Sequence, residues 1–122
     1  KRNQFEMKNT RSLQKNYEFQ RVYSKGQFCT GKYLVLYYLK NTFDFNRLGI
    51  STGKKIGKSV VRNRMKRIVK ENYRLMEDKI PIGYDLVFMV RKSDDLPGFW
   101  DIKREMRYLL KKGNLFDMEK VD

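Results

Sequence analysis

Residues 54–71, KKIGKSVVRNRMKRIVKE, carry eight Lys/Arg side chains and a single carboxylate. Side chains of that kind at that density have one chemistry open to them, the binding of phosphate through charge and N–H donors. With Arg62 at zero and about 100° per residue along a helix, Arg62, Asn63, Lys66, Arg67, Lys70 and Arg74 fall within roughly 140° of arc, flanked by Arg64. Val61, Met65, Ile68, Val69, Asn72, Leu75 and Met76 take the other side, so that face is expected to bury and the cations to point outward. Lys54, Lys55 and Lys58 lead into the stripe. A charge run is ordinarily a solvated surface. Here nearly all the charges share one sign and repel by about a few tenths of a kcal/mol per pair, which calls for a polyanion from outside the fold. Asn63, set between two arginines, adds a neutral donor and acceptor for a base edge, a ribose hydroxyl or a metal-bound water, or for local hydrogen bonding.

The whole chain repeats the signal. It has 28 Lys+Arg against 14 Asp+Glu in 122 residues, a net charge of +14 and a pI near 10.0, the electrostatic footprint of a nucleic-acid binder. An anionic membrane is the competing polyanion, but no apolar run nears the roughly 18 residues of a membrane span and no signal pattern is seen, so a cytoplasmic protein without a membrane partner is expected. Cys29 is alone, and there is no histidine, which removes disulfides, cysteine-based zinc sites and histidine acid–base catalysis. Ser51 and Ser59 lack an activating base, the aspartates are scattered among turns and element ends, and Gly53-Lys54-Lys55-Ile56-Gly57 lacks the spacing of a phosphate loop. The residues argue for binding, with no catalytic residue in the protein.

The elements that must position these side chains read as one domain spanning 1–122, with residues 1–12 and 117–122 expected to be flexible. Asn16 is the expected N-cap of a first helix that carries Phe19, Val22 and Tyr23 and stops at Gly26. A small strand near 27–30 precedes strands at 33–39 and 47–52, expected to pair as a hairpin with a long connection. The basic helix should run over about 60–77, Pro81 and Gly83 mark a turn, and 84–91 is the most strand-like stretch. A last helix, with Trp100, Ile102, Met106, Leu109 and Leu110 on one side, ends near Gly113. The fold class is α+β, a single-domain sandwich of helices over a mainly antiparallel sheet in the order α-β-β-(β)-α-β-α.

Eight Tyr and eight Phe are mostly expected in the core. Two subsets fit a different use. Phe19 and Tyr23 lie one turn apart, and Val35 and Tyr37 share one face of a strand. If the first helix lies on that face, the four line a shallow cleft where bases stack on rings while nearby cations track phosphates.

These residues resemble the bacterial ribonuclease P protein component. The resemblance is carried by Asn16-x-x-Phe19-x-x-Val22-Tyr23-x-x-Gly26, by Leu34-Val35-Leu36-Tyr37, and by Arg47-x-Gly49-Ile50-Ser51 followed by Lys54-Lys55-x-Gly57, Arg62-Asn63-Arg64 and Lys66-Arg67. It covers about residues 13–112. It implies a fold like the second domain of ribosomal protein S5, with a left-handed β-α-β crossover. It also implies partnership with ribonuclease P RNA, which uses Mg2+ to cleave the 5′ leader from precursor tRNA, with the metal bound mainly by RNA and no stable protein partner. On this resemblance Lys54, Lys55, Lys58, Arg62, Asn63, Arg64, Lys66, Arg67 and Lys70 face the catalytic RNA, and Phe19, Tyr23, Val35 and Tyr37 receive the single-stranded leader. Two other readings use the same helix: a general RNA-binding or ribosomal protein that never stimulates processing, and a duplex-DNA reader. The second lacks the preceding tight-turn helix that helix-turn-helix docking needs.

Overall fold

The run Tyr84–Val90, YDLVFMV, is apolar on both of its faces beyond Asp85, and it takes the centre of the sheet as β5. Leu86, Val87 and Phe88 have no solvent exposure, each such burial contributing about 1.5–3 kcal/mol. The computed structural model describes residues 7–117. Within them, β4 (Asn46–Thr52) lies parallel to β5 on one side and β3 (Leu34–Lys40) antiparallel on the other. Outermost are β1 (Thr10–Ser12), parallel to β4, and β2 (Gln27–Thr30), antiparallel to β3, giving the order β1-β4-β5-β3-β2.

Two expectations change here. The strands at 33–39 and 47–52 do not form a hairpin, because β5 inserts between them; a strand apolar on both faces gains more from the centre, where helices cover both sides, than from an edge. The sheet is therefore evenly mixed, two parallel and two antiparallel pairings, and not mainly antiparallel. Parallel β4 and β5 require a crossover, which is helix α2 (Ser59–Met76).

A third change concerns the amino-terminal stretch. Residues 10–12, expected to be flexible, are a strand of the sheet. A buried carboxylate explains why: Glu77 accepts the backbone N–H groups of Lys8 (2.7 Å) and Asn9 (2.9 Å) and the Thr10 hydroxyl, pinning the segment beside β4. Residues 1–6 and 118–122 lie outside the described residues.

Register divides the sheet into two faces. Leu34, Leu36, Leu48, Leu86 and Phe88 look toward α2 and α3 (Phe99–Lys112), meeting Met65, Val69, Tyr73, Ile102, Met106 and Leu109 in the main core. On the other face α1 (Asn16–Lys25) sets Val22 against Val87 and Leu13. Trp100, expected on the core side of α3, is 65% exposed, since the buried arc of that helix is centred between Ile102 and Leu110. Leu75 of α2 is likewise outside, its place in the core taken by Tyr73.

Candidate nucleic-acid interface

The aromatic cleft is built by α1 lying across β3, β5 and β4. Its helix starts one residue earlier than expected, with Lys15 and not Asn16 at the N-cap, because the carboxylate that serves the first turn is that of Glu18, which accepts the N–H groups of Gln14 and Lys15 at 2.9 Å each. Those two bonds, Lys15 first, then the Arg47 charge, hold the Glu18 carboxyl below its ordinary value. Arg47 on β4 joins helix to sheet: its guanidinium meets Asp85 bidentately at 2.9 and 2.7 Å and donates to Glu18 at 2.9 Å. The Asp85 hydrogen bonds keep Arg47 firmly protonated. With Arg47 fixed, α1 cannot slide along the sheet.

On this seat the rings form a row. Phe19 and Tyr23 have centroids 6.5 Å apart, Tyr23 meets Tyr37 edge-on at 4.8 Å, and Tyr37 meets Phe28 at 5.8 Å. Phe28 was not among the expected cleft residues. The pairing of Phe28 with Tyr37 across β2 and β3 puts it there, 64% exposed, and the signal for it was the period-two alternation of the small strand at 27–30. Val35 shares the face but is 7% exposed, so it supplies floor beneath the cleft and no stacking surface. Phe19 presses on Gly49, where a Cβ would stand 2.5 Å from the ring. The glycine is what lets α1 approach the sheet.

Among the expected RNA-facing residues of the basic helix, Arg62 departs from its expected orientation. Met65, Val69, Tyr73 and Met76 centre the buried face of α2 about 25° from Arg62 on a 100° wheel, which puts Arg62 on the buried side. Its guanidinium turns back and donates to the Gly57 carbonyl at 2.7 Å and to the Ser59 hydroxyl at 3.3 Å. Arg62 is thus half-buried and holds the lysine loop onto the start of α2. Gly57 has φ of 146°, a region that favours glycine, and follows a short 3-10 turn at Lys54–Ile56. Lys54, Lys55, Lys58, Asn63, Arg64, Lys66, Arg67 and Lys70 are exposed as expected. Arg74 is occupied by Glu71, at 3.0 and 2.7 Å, and that hydrogen-bonded pair lowers the Glu71 pKa.

The two predicted sets meet at one place. A pocket of about 330 Å³ opens over the β4 edge beyond the short β1 strand, with Leu13, Phe19, Gly49 and Ile50 for its apolar walls and Lys66, Arg67 and Lys70 at its rim. Phe19 is the last ring of the aromatic row and also a wall of this pocket. The arrangement offers flat apolar surfaces to bases and cations to the phosphates between them. Among the described residues no group of three or more His, Cys, Asp or Glu side chains could hold a metal ion. No helix of the described residues is long and apolar enough to cross a membrane.

The family described as Ribonuclease P matches residues 7–114. A ribonuclease P protein component of Clostridium botulinum is 48% identical over 106 residues, covering 86% of this chain and 96% of that protein. The component from Clostridioides difficile is 44% identical over 107 residues, 87% and 94% of the two chains. Among solved structures, the Staphylococcus aureus RNase P protein superposes with a TM-score of 0.78 at 32% identity, covering 86% of this chain and 96% of that one. The protein from Thermotoga maritima gives 0.75 at 32% identity, covering 83% and 96%.

Proposed function

This chain belongs to the ribonuclease P protein family, and from that membership we propose that it is the protein subunit of a ribonucleoprotein that removes the 5′ leader of precursor tRNA. The bond-breaking chemistry belongs to the RNA subunit and its Mg2+, and the protein contributes binding. The observation that carries this reading is the double placement of Phe19, which closes the aromatic row and walls the pocket rimmed by Lys66, Arg67 and Lys70.

A single-stranded leader would lie over Phe28, Tyr37, Tyr23 and Phe19, each stacked base contributing roughly 1–3 kcal/mol. Its phosphates would reach the α2 cations. Lys54, Lys55, Lys58, Asn63 and Arg64, exposed on the loop and the first turns of α2, would face the catalytic RNA. Arg62 takes a different part from theirs: by gripping the Gly57 carbonyl it positions the lysine loop. Neutralising RNA phosphates at this junction lowers the Mg2+ concentration the RNA needs to fold and cleave.

The test is a binding comparison in the reconstituted ribonucleoprotein. Phe19→Ala and Tyr37→Ala should weaken leader-bearing precursor tRNA by about tenfold, the equivalent of one stacked base, and leave mature tRNA nearly unaffected. Equal losses for both ligands would overturn the leader assignment.

A further inference from the structure

The outer face of α3 lies outside the leader cleft and the basic stripe of α2. From the shared geometry of the core, α2 and α3 cover one face of the sheet while α1 and the aromatic cleft lie on the other. Helix α3 therefore looks away from the leader cleft. Its outward arc carries Lys103, Arg104, Arg107, Lys111 and Lys112, and among these cations stand two large exposed rings, Trp100 at 65% and Tyr108 at 54%. On a 100° wheel these seven side chains span about 180° opposite Ile102, Met106, Leu109 and Leu110.

The acids of the helix offset this field only at Arg104. Glu105 turns inward to accept the N–H groups of Lys32, Tyr33 and Leu34 at 2.9, 2.7 and 2.6 Å. Asp101 is engaged with the Gly98 N–H and with Arg104. The rings are tied to the charges: Lys103 Nζ sits 5.1 Å from the Trp100 centroid and Lys112 Nζ 5.7 Å from that of Tyr108. Phe99 props Trp100 edge-on at 5.0 Å, which fixes the indole outward. Leaving a tryptophan and a tyrosine in water forgoes the burial that such rings ordinarily gain.

We infer that the outer face of α3 is a second single-stranded RNA platform, on which bases stack at Trp100 and Tyr108 while Arg107 and Lys111 hold the intervening phosphates. Eight residues separate the two rings, about 12 Å along the axis at 1.5 Å per residue, so two bases can be held at once with cations between them. Charge complementarity and the paired rings favour RNA over an acidic polypeptide, which would use the cations and leave the rings idle. With the leader cleft on the opposite face of the sheet, the protein would join two RNA segments through its own thickness.

The single tryptophan of the chain makes the platform directly observable. A short single-stranded uridine oligonucleotide titrated into the full chain should quench Trp100 emission saturably. Arg107→Gln with Lys111→Gln should weaken that quenching by about tenfold, and Tyr108→Ala should weaken it too. Phe19→Ala, which opens the cleft on the other face, should leave the Trp100 signal as it is. Unchanged emission while a labelled oligonucleotide is bound, or equal quenching by polyglutamate or by an abasic ribose-phosphate chain, would overturn the inference.

Discussion

At Gly49 a single methyl group should separate stability from leader recognition. An alanine Cβ there would stand 2.5 Å from Phe19 Cε2, 2.7 Å from Cζ and 3.2 Å from Leu13 Cδ1. Carbon atoms pack at about 3.5–4.0 Å, so the ring must retreat by about 1 Å. The whole helix cannot move to relieve it, because Arg47 ties Glu18 to Asp85 and Val22 is fully buried against the sheet. The ring must instead rotate out of its seat between the aromatic row and the pocket. Overpacking of this kind costs about 1–3 kcal/mol, offset in part by the lower entropy of an unfolded alanine, about 0.4–1 kcal/mol. Gly49→Ala is therefore expected to lose about 1–2 kcal/mol in urea unfolding, together with most of the preference for leader-bearing over mature tRNA. In a Phe19→Ala background the methyl has room, and the same substitution should be neutral or slightly stabilising. A double-mutant cycle with additive effects, or an unchanged leader preference in Gly49→Ala, would refute the seating of Phe19 on that glycine.

The two kinds of arginine on α2 should part under mutation: Arg62→Ala is expected to cost about 1 kcal/mol of stability by freeing the Gly57 carbonyl, whereas Lys66→Ala and Arg67→Ala should stay within about 0.5 kcal/mol. In salt titrations of RNA binding, each of the latter should flatten the log–log slope by about 0.7–0.9. Glu105→Ala deprives three successive N–H groups of their acceptor and should cost about 2–3 kcal/mol by denaturant unfolding, with Glu105→Gln recovering part of it. Glu18 has a folded pKa below its ordinary 4.5, so its contribution is complete above that value and is lost as pH falls through the lower folded value. Glu18→Gln should accordingly show a shallower acid decline below pH 4.5 than the parent chain.

Much of this was legible in the chain because it depends on local patterns. The α2 stripe follows from helical spacing, the lysine loop from its glycines, and the pairing of Phe19 and Tyr23 with Val35 and Tyr37 from two simple periods. What was hidden depends on partners distant in sequence. No local pattern tells that β5 displaces the expected hairpin, since that choice is made by helices covering both faces of one strand. The ordering of Thr10–Ser12 depends on Glu77, 67 residues beyond Thr10. Arg62 stands at the boundary of the cationic arc, and buried Met65 and Tyr73 on either side of it draw that position inward. Phe28 became a cleft residue only through its cross-strand neighbour Tyr37. Trp100 is expected on the side of the last helix that carries Ile102 and Met106, and the helix, turning it well over 90° from both, places it in water.

As proposed above, the protein enables an RNA to mature the 5′ end of tRNA. Cleavage of a 5′-leader precursor tRNA by a bacterial ribonuclease P RNA at low Mg2+, with and without the protein, tests it most directly. Strong stimulation with cleavage at the correct 5′ position is the predicted result. Tight RNA binding with no stimulation at any protein concentration would contradict it and leave a general RNA-binding module in its place.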